Sequence, residues 1–157
     1  MFCLACSLWL SVAEAQQLLD RIVARIGADV ITMTDVQAAM AFDVVAGEDF
    51  DLAAEQMIQR HLLLTEVQRF APPDPLPEEI DAEVTAMRTR AGDDLAQVMQ
   101  STGVTDERIR EIARDTLRIQ GYINQRFGPA AQRRPNEVEQ WIRDLRARAT
   151  VAVPSGR

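Results

Sequence analysis

Few residues of this chain have side chains of the kind that catalysis requires. His61 is its single histidine, and two pairs of adjacent carboxylates stand out, Glu78-Glu79 and Asp93-Asp94. Such groups can serve as general acids, general bases or metal ligands. A lone helical histidine is more often a partly buried or capping residue, and acidic pairs at helix starts are favoured by the helix dipole. The sequence therefore predicts no catalytic residue, no metal site and no cofactor, and a protein that is not an enzyme.

The N-terminal segment is typical of a secretory signal. The run FCLACSLWLSV is uncharged and apolar, it contains Cys3 and Cys6, and the small-residue motif AEA that follows it ends at Ala15. An apolar run of ~7–15 residues before such a motif predicts cleavage there. We therefore expect residues 1–15 to be a cleaved signal peptide and residues 16–157 to form one cysteine-free domain in the periplasm.

The composition is globular and argues against several classes of protein. Of 157 residues, 47% are apolar and 26% are charged, which suits one domain of ordinary size. The formal charge is −7 and all 17 basic residues are arginines, without a basic block. An acidic chain of this kind is a poor candidate for binding nucleic acid. The apolar N-terminal run is shorter than the ~20 residues that span a bilayer, so no membrane span is expected.

A β-hairpin is predicted directly after the signal. In RIVARI, the residues Ile22, Ala24 and Ile26 alternate with arginines and Val23, which is typical of a strand with one buried face. Gly27 then supplies the first position of a type II′ turn, and the segment VIT returns as a second strand. A two-stranded hairpin is marginal in water. The one other β-type run, residues 149–153, is therefore predicted to supply a third strand.

Helical periodicity dominates the rest of the chain. Thr34 is predicted to cap the first helix, with Gln37 completing a capping box. The second helix is apolar nearly all round, which predicts the centre of a bundle. The expected fold is mainly α: a bundle of about six helices with a small antiparallel sheet formed by the hairpin and the C-terminal strand. The later helices are predicted over residues 52–70, from Pro77, over 93–100, over 105–127 and over the segment NEVEQWIRDLRARA.

This order of elements resembles the N-terminal domain of SurA-type periplasmic chaperones. The segment LLDRIVARIGADVITMTDVQ is similar to the family pattern V-D-R-I-V-A-x-V-N-x-x-V-I-T-x-S-D-L, with Gly27 where the family often has Asn. The resemblance extends through MIQRHLLLTEVQRF and PEEIDAEV to the paired helices ending near Phe127. The family's parvulin-type isomerase modules are absent, because the eight residues GPAAQRRP leave no room for a domain of ~50 residues.

The resemblance implies an ATP-independent chaperone that binds unfolded or nascent outer-membrane proteins. Methionine-rich surfaces adapt to varied apolar partners, and Phe42 lies at a predicted helix end. We therefore expect a peptide-binding groove that contains Met33, Met40, Phe42 and Met87. Two alternatives stay open: a degenerate peptidyl-prolyl isomerase, and an accessory subunit that docks one fixed partner of the cell envelope. The sequence also leaves a homodimer open.

Overall fold

The computed structural model describes residues 20–128 and 135–154, so the predicted signal peptide lies outside the described residues. Two short strands open this part of the chain, helices follow, and a third strand closes it. The mainly helical fold with a small antiparallel sheet, as predicted, is confirmed. The elements are β1 (Ile22–Ile26), β2 (Asp29–Thr32), α1 (Met33–Ala41), α2 (Phe50–Phe70), α3 (Pro77–Ala91), α4 (Leu95–Thr102), α5 (Asp106–Phe127), α6 (Pro135–Arg148) and β3 (Val151–Ala152).

The first strand lies in the middle of the sheet, between β2 and β3. At the hairpin turn Gly27 has a φ of 62° while Ala28 has no positive φ, which is the combination expected of a type II′ turn. On the other side of β1, Ile26 lies opposite Val151 in an antiparallel pair. The C-terminal run thus supplies the third strand, as predicted.

The first helix begins earlier than the sequence suggested. Thr32, not Thr34, is its N-cap: the Thr32 hydroxyl accepts from the Asp35 amide at 3.3 Å, and the Thr32 amide donates to the Asp35 carboxylate at 3.0 Å. The prediction of a Thr34–Gln37 box is therefore wrong. The reason is that Thr32 is still extended, with φ −104° and ψ 168°, so β2 runs into the helix without a loop. Thr34 instead donates to the carboxylate of Asp20.

The second helix is the centre of the bundle, as its apolar circumference predicted. It packs against β1, α1, α5 and α6. Its N-cap is Asp49, whose carboxylate accepts from the Leu52 amide at 2.7 Å. It ends at Phe70 because Ala71 adopts a left-handed conformation and two prolines follow, which cannot continue a helix. This ending leaves the Phe70 side chain 57% exposed.

Three apolar clusters make up the core. One joins the sheet to α1 and α2, a second joins α1 to α3, α4 and α5, and a third joins α2 to α5 and α6. The third helix contributes to the second cluster, where Ile80 is buried and Val84 partly buried. The third cluster is built on Leu63, Val67, Ile119 and Tyr122.

Candidate functional site

The four residues predicted to form a peptide groove do not share a surface. Phe42 and Met87 are both fully buried and pack together in the second cluster, between α1, α3 and α5. Met40 is partly buried against the sheet cluster, and Met33 is partly buried at the start of α1. Two of the four predicted groove residues, Phe42 and Met87, are therefore core residues in this structure. Phe42 turns inward because the chain reverses after α1, where Asp43 has a φ of 52°.

His61 is partly buried, in line with the structural interpretation of a lone helical histidine. Its Nε2 lies 3.3 Å from the Asp29 carboxylate, so it ties α2 to the hairpin. Within residues 20–128 and 135–154, no group of three or more histidine, cysteine or carboxylate side chains could hold a metal ion.

The two acidic pairs lie at the starts of helices. Glu79 is in the first turn of α3, and its carboxylate accepts from the Leu76 amide at 2.8 Å. Asp93 and Asp94 lie in a short 3-10 turn, Gly92–Asp94, so α4 begins at Leu95 and not at Asp93 as predicted. All these side chains are exposed, which favours the structural role assigned from the sequence.

A small cavity of about 120 Å³ lies between β2, α1, α2 and α5. Its charged lining includes Arg60, which donates to the Ile112 carbonyl and the Thr116 hydroxyl, both at 3.0 Å. Burial lowers the pKa of Arg60. Burial also raises the pKa of Asp115, which lines the same cavity, although the positive charge of Arg60 acts in the opposite direction. The volume is well below the ~300–1,000 Å³ of typical ligand pockets. The two hydrogen bonds of Arg60 connect α2 with α5.

The Pro72–Pro75 linker borders a more open depression of about 570 Å³. Its lining from α5 is mostly polar, and the Arg118 Nε in its wall lies 3.3 Å from the Asp74 carboxylate. This surface therefore combines the apolar prolines and Leu117 with polar side chains, and its described lining includes no aromatic ring.

The strongest candidate for a binding site is an open groove of about 510 Å³ between α2, α5 and α6, named here the aromatic groove. Its apolar lining consists of Leu62, Phe70, Trp141, Leu145 and Ala149, and its charged lining of Glu66, Arg69, Arg126 and Arg148. Three helices contribute because Phe70 ends α2, Arg126 is near the end of α5, and Trp141 and Leu145 are one turn apart on α6.

The two aromatic rings that line this groove, Phe70 and Trp141, belong to a connected set of ring contacts. The ring centroids of Phe70 and Tyr122 are 5.7 Å apart and stacked, those of Tyr122 and Trp141 are 5.9 Å apart, and those of Phe127 and Trp141 are 5.5 Å apart. The guanidinium of Arg126 lies over Trp141, 4.9 Å from the ring centroid. Such contacts hold the rings and the guanidinium in place and create a pre-ordered surface of mixed apolar and cationic character.

Tyr122 carries a polar group that the described residues leave unsatisfied. Its side chain is 5% exposed, and its hydroxyl is buried without a hydrogen-bond partner in this part of the chain. Together with Phe70 and Arg126 it lines a smaller depression of about 220 Å³, which adjoins the aromatic groove through those two shared residues. A hydroxyl in this position is available to a ligand that reaches it.

Sequence reasoning missed Tyr122 and Arg126 as site residues. They are four positions apart on α5 and so lie on one face, which was the signal available. Phe70 ends α2, and its side chain is 57% exposed. Trp141 is partly buried in the third cluster.

Among the described residues, no helix is both long enough and apolar enough to cross a membrane. The chain matches no family model, no curated protein and no solved structure.

Proposed function

We propose that the protein is an ATP-independent periplasmic chaperone, a holdase that binds unfolded outer-membrane polypeptides in the aromatic groove. The observation that carries the proposal is the groove itself, where Phe70 is 57% exposed beside Trp141 and Leu145. The secretory-type N-terminal segment and the resemblance to SurA-type chaperones support the compartment and the class of client.

The chemistry of the groove suits a polypeptide better than a small metabolite. It is open and has room for several side chains, whereas small-molecule sites enclose most of their ligand. Aromatic residues and arginine are also the residue types enriched where proteins bind one another. Because an unfolded client loses chain entropy when it docks, the affinity for any one segment should be modest.

The polar groups that line the groove support a binding role. Among the described lining residues, Thr65 is the one hydroxyl, and it donates to the His61 carbonyl at 3.1 Å. Glu66 lies 4.0 Å from Arg69. Neither geometry pairs a nucleophile with a base, so the groove is not arranged for covalent catalysis. We propose a binding protein; prolyl isomerisation needs no such pair, so the isomerase alternative is tested by its activity below.

The test is light scattering of a denatured outer-membrane protein diluted into buffer, with and without the chaperone and without ATP. We expect suppression at a several-fold excess. Phe70→Ser should need about five- to thirtyfold more protein, since an interface aromatic contributes about 1–2 kcal/mol. Leu52→Ser is the matched control, because Leu52 is 52% exposed at the other end of α2.

Equal losses in Phe70→Ser and Leu52→Ser would exclude the aromatic groove as the client site. No suppression by the wild type, combined with tight binding to one folded envelope protein, would favour the accessory-subunit alternative. Acceleration of prolyl isomerisation in a tetrapeptide assay would favour the isomerase alternative.

A further inference from the structure

The aromatic groove carries a charge opposite to that of the chain as a whole. The formal charge of the chain is −7, yet the groove is lined by Arg69, Arg126 and Arg148 against a single carboxylate, Glu66. Glu66 lies 4.0 Å from Arg69. In residues 20–128 and 135–154, no carboxylate lies within ion-pair distance of Arg126 or Arg148. Two of the three arginines are therefore available to an anionic group of a ligand.

Arg126 is the better placed of these two. Its guanidinium lies 4.9 Å from the ring centroid of Trp141 and 5.7 Å from that of Phe127. A guanidinium that rests on aromatic faces keeps its hydrogen-bond donors at its edge and loses little side-chain freedom when it binds a carboxylate. The same rings would contact apolar side chains next to that carboxylate.

Tyr122 adds a second donor near Arg126, one turn away on α5. Its buried hydroxyl has no partner among the described residues, and leaving such a group unpaired costs free energy. The ring of Phe70 stacks on Tyr122, but Phe70 is more than half exposed at the end of α2. Displacement of Phe70 by a ligand would uncover Tyr122 in the depression that both residues line with Arg126.

From these contacts we infer that the groove selects client segments in which an aspartate or glutamate side chain lies among apolar residues. This inference rests on the proposed function. The client carboxylate pairs with Arg126 and accepts from the Tyr122 hydroxyl, and the neighbouring apolar side chains contact Trp141 and Leu145. The groove has three arginines and one glutamate, so it favours a ligand group of negative charge. The proposed occupant is therefore an internal acidic side chain of an extended polypeptide.

The experiment measures fluorescence anisotropy of labelled, acetylated and amidated apolar peptides that differ at one central residue, Glu or Gln. We expect wild-type protein to bind the Glu peptide about three- to tenfold more tightly, the range for a charge-assisted hydrogen bond at a partly exposed site. Arg126→Gln should abolish this preference and leave the Gln peptide bound as before. Tyr122→Phe should reduce the preference. Arg143→Gln, on the same helix as Trp141 and 58% exposed, should leave it unchanged.

Three results would overturn the inference. Equal affinity for the Glu and Gln peptides would refute charge selection while leaving the proposed chaperone function intact. A Gln peptide with a free C-terminal carboxylate that binds as tightly as the Glu peptide would show recognition of chain ends instead. Failure of both peptides to bind, with aggregation still suppressed, would place the client site elsewhere on the chaperone, whereas loss of suppression as well would refute the proposed function itself.

Discussion

Ile26 and Val151 lie opposite each other in an antiparallel pair, although they are near opposite ends of the chain. Ile26 is buried in the sheet cluster, and Val151 packs against the same cluster. The pairing joins the first strand to the last, and it places α6 across the end of α2 where the aromatic groove is formed. The closing strand β3 therefore contributes to the stability of the fold and to the position of α6 at the candidate site.

Ending the chain at Arg148 should destabilise the protein without unfolding it. The change removes the β1–β3 hydrogen bonds and the partly buried Val151, together about 2 kcal/mol. We expect the melting temperature to fall by about 4–8 °C in calorimetry. Removing residues 135–157 also removes Trp141 and the α6 side of the third cluster, so cooperative melting should be lost. A protein ending at Arg148 that melts at the wild-type temperature would contradict the role of β3.

Thr32→Ala should cost about 1 kcal/mol of unfolding free energy, within the 0.5–2 kcal/mol range of N-cap substitutions. The substitution leaves the Asp35 amide without its side-chain acceptor. Gln37→Ala is the matched control, because Gln37 is exposed and should change stability by less than about 0.5 kcal/mol. Urea unfolding of the two variants decides between the two caps, and a larger cost for Gln37→Ala would favour the Thr34–Gln37 box.

Phe42→Ala should destabilise the fold by about 3–5 kcal/mol and Met87→Ala by about 2–5 kcal/mol, because both side chains are fully buried. These costs are a large share of a typical total of about 5–15 kcal/mol. Phe42→Leu keeps most of the buried volume, so client suppression should be unchanged wherever the variant is folded. Loss of suppression in Phe42→Leu at an unchanged urea midpoint would restore Phe42 to the binding site.

Asp115 should make a pH-dependent contribution that decreases as the pH rises. Burial raises the pKa of Asp115 above its ordinary value of 3.8, so the folded state holds the proton to higher pH than the unfolded state. The unfolding free energy of wild type minus that of Asp115→Asn should therefore fall from pH 3.8 upwards and level off above the raised pKa. Urea unfolding across this range measures the difference, and an increase with pH would show that pairing with Arg60 outweighs burial.

Most of the fold could be predicted from local patterns in the sequence. The alternation of Ile22, Ala24 and Ile26, the turn at Gly27 and the β-type run near the C terminus predicted the sheet and its closing strand. The start of α1 could not be assigned from sequence because both Thr32 and Thr34 precede a suitable partner by three residues, and the structure alone shows which threonine is extended.

The candidate site was much less predictable. The burial of Phe42 and Met87 could not be predicted, because the position of a residue along a helix does not reveal which neighbouring helix will cover its side chain. Phe70, Tyr122 and Trp141 belong to three different helices, so their stacking depends on how α2, α5 and α6 pack. The buried Tyr122 hydroxyl depends on the same packing, and sequence periodicity has no information about it.

The central position of β1 has a consequence for how the chain acquires its structure. Proteins are synthesised from the N terminus, at about 5–20 residues per second, and β1 is among the first structured segments to emerge. One edge of β1 stays unpaired until β3 is synthesised, and β3 is almost the last structured segment to emerge. Because the two strands are far apart in sequence, their pairing has a high contact order and forms slowly. Until then the unpaired edge can template strands from other chains. Self-association should therefore be a hazard of the nascent protein and should end when residues 151–152 join the sheet.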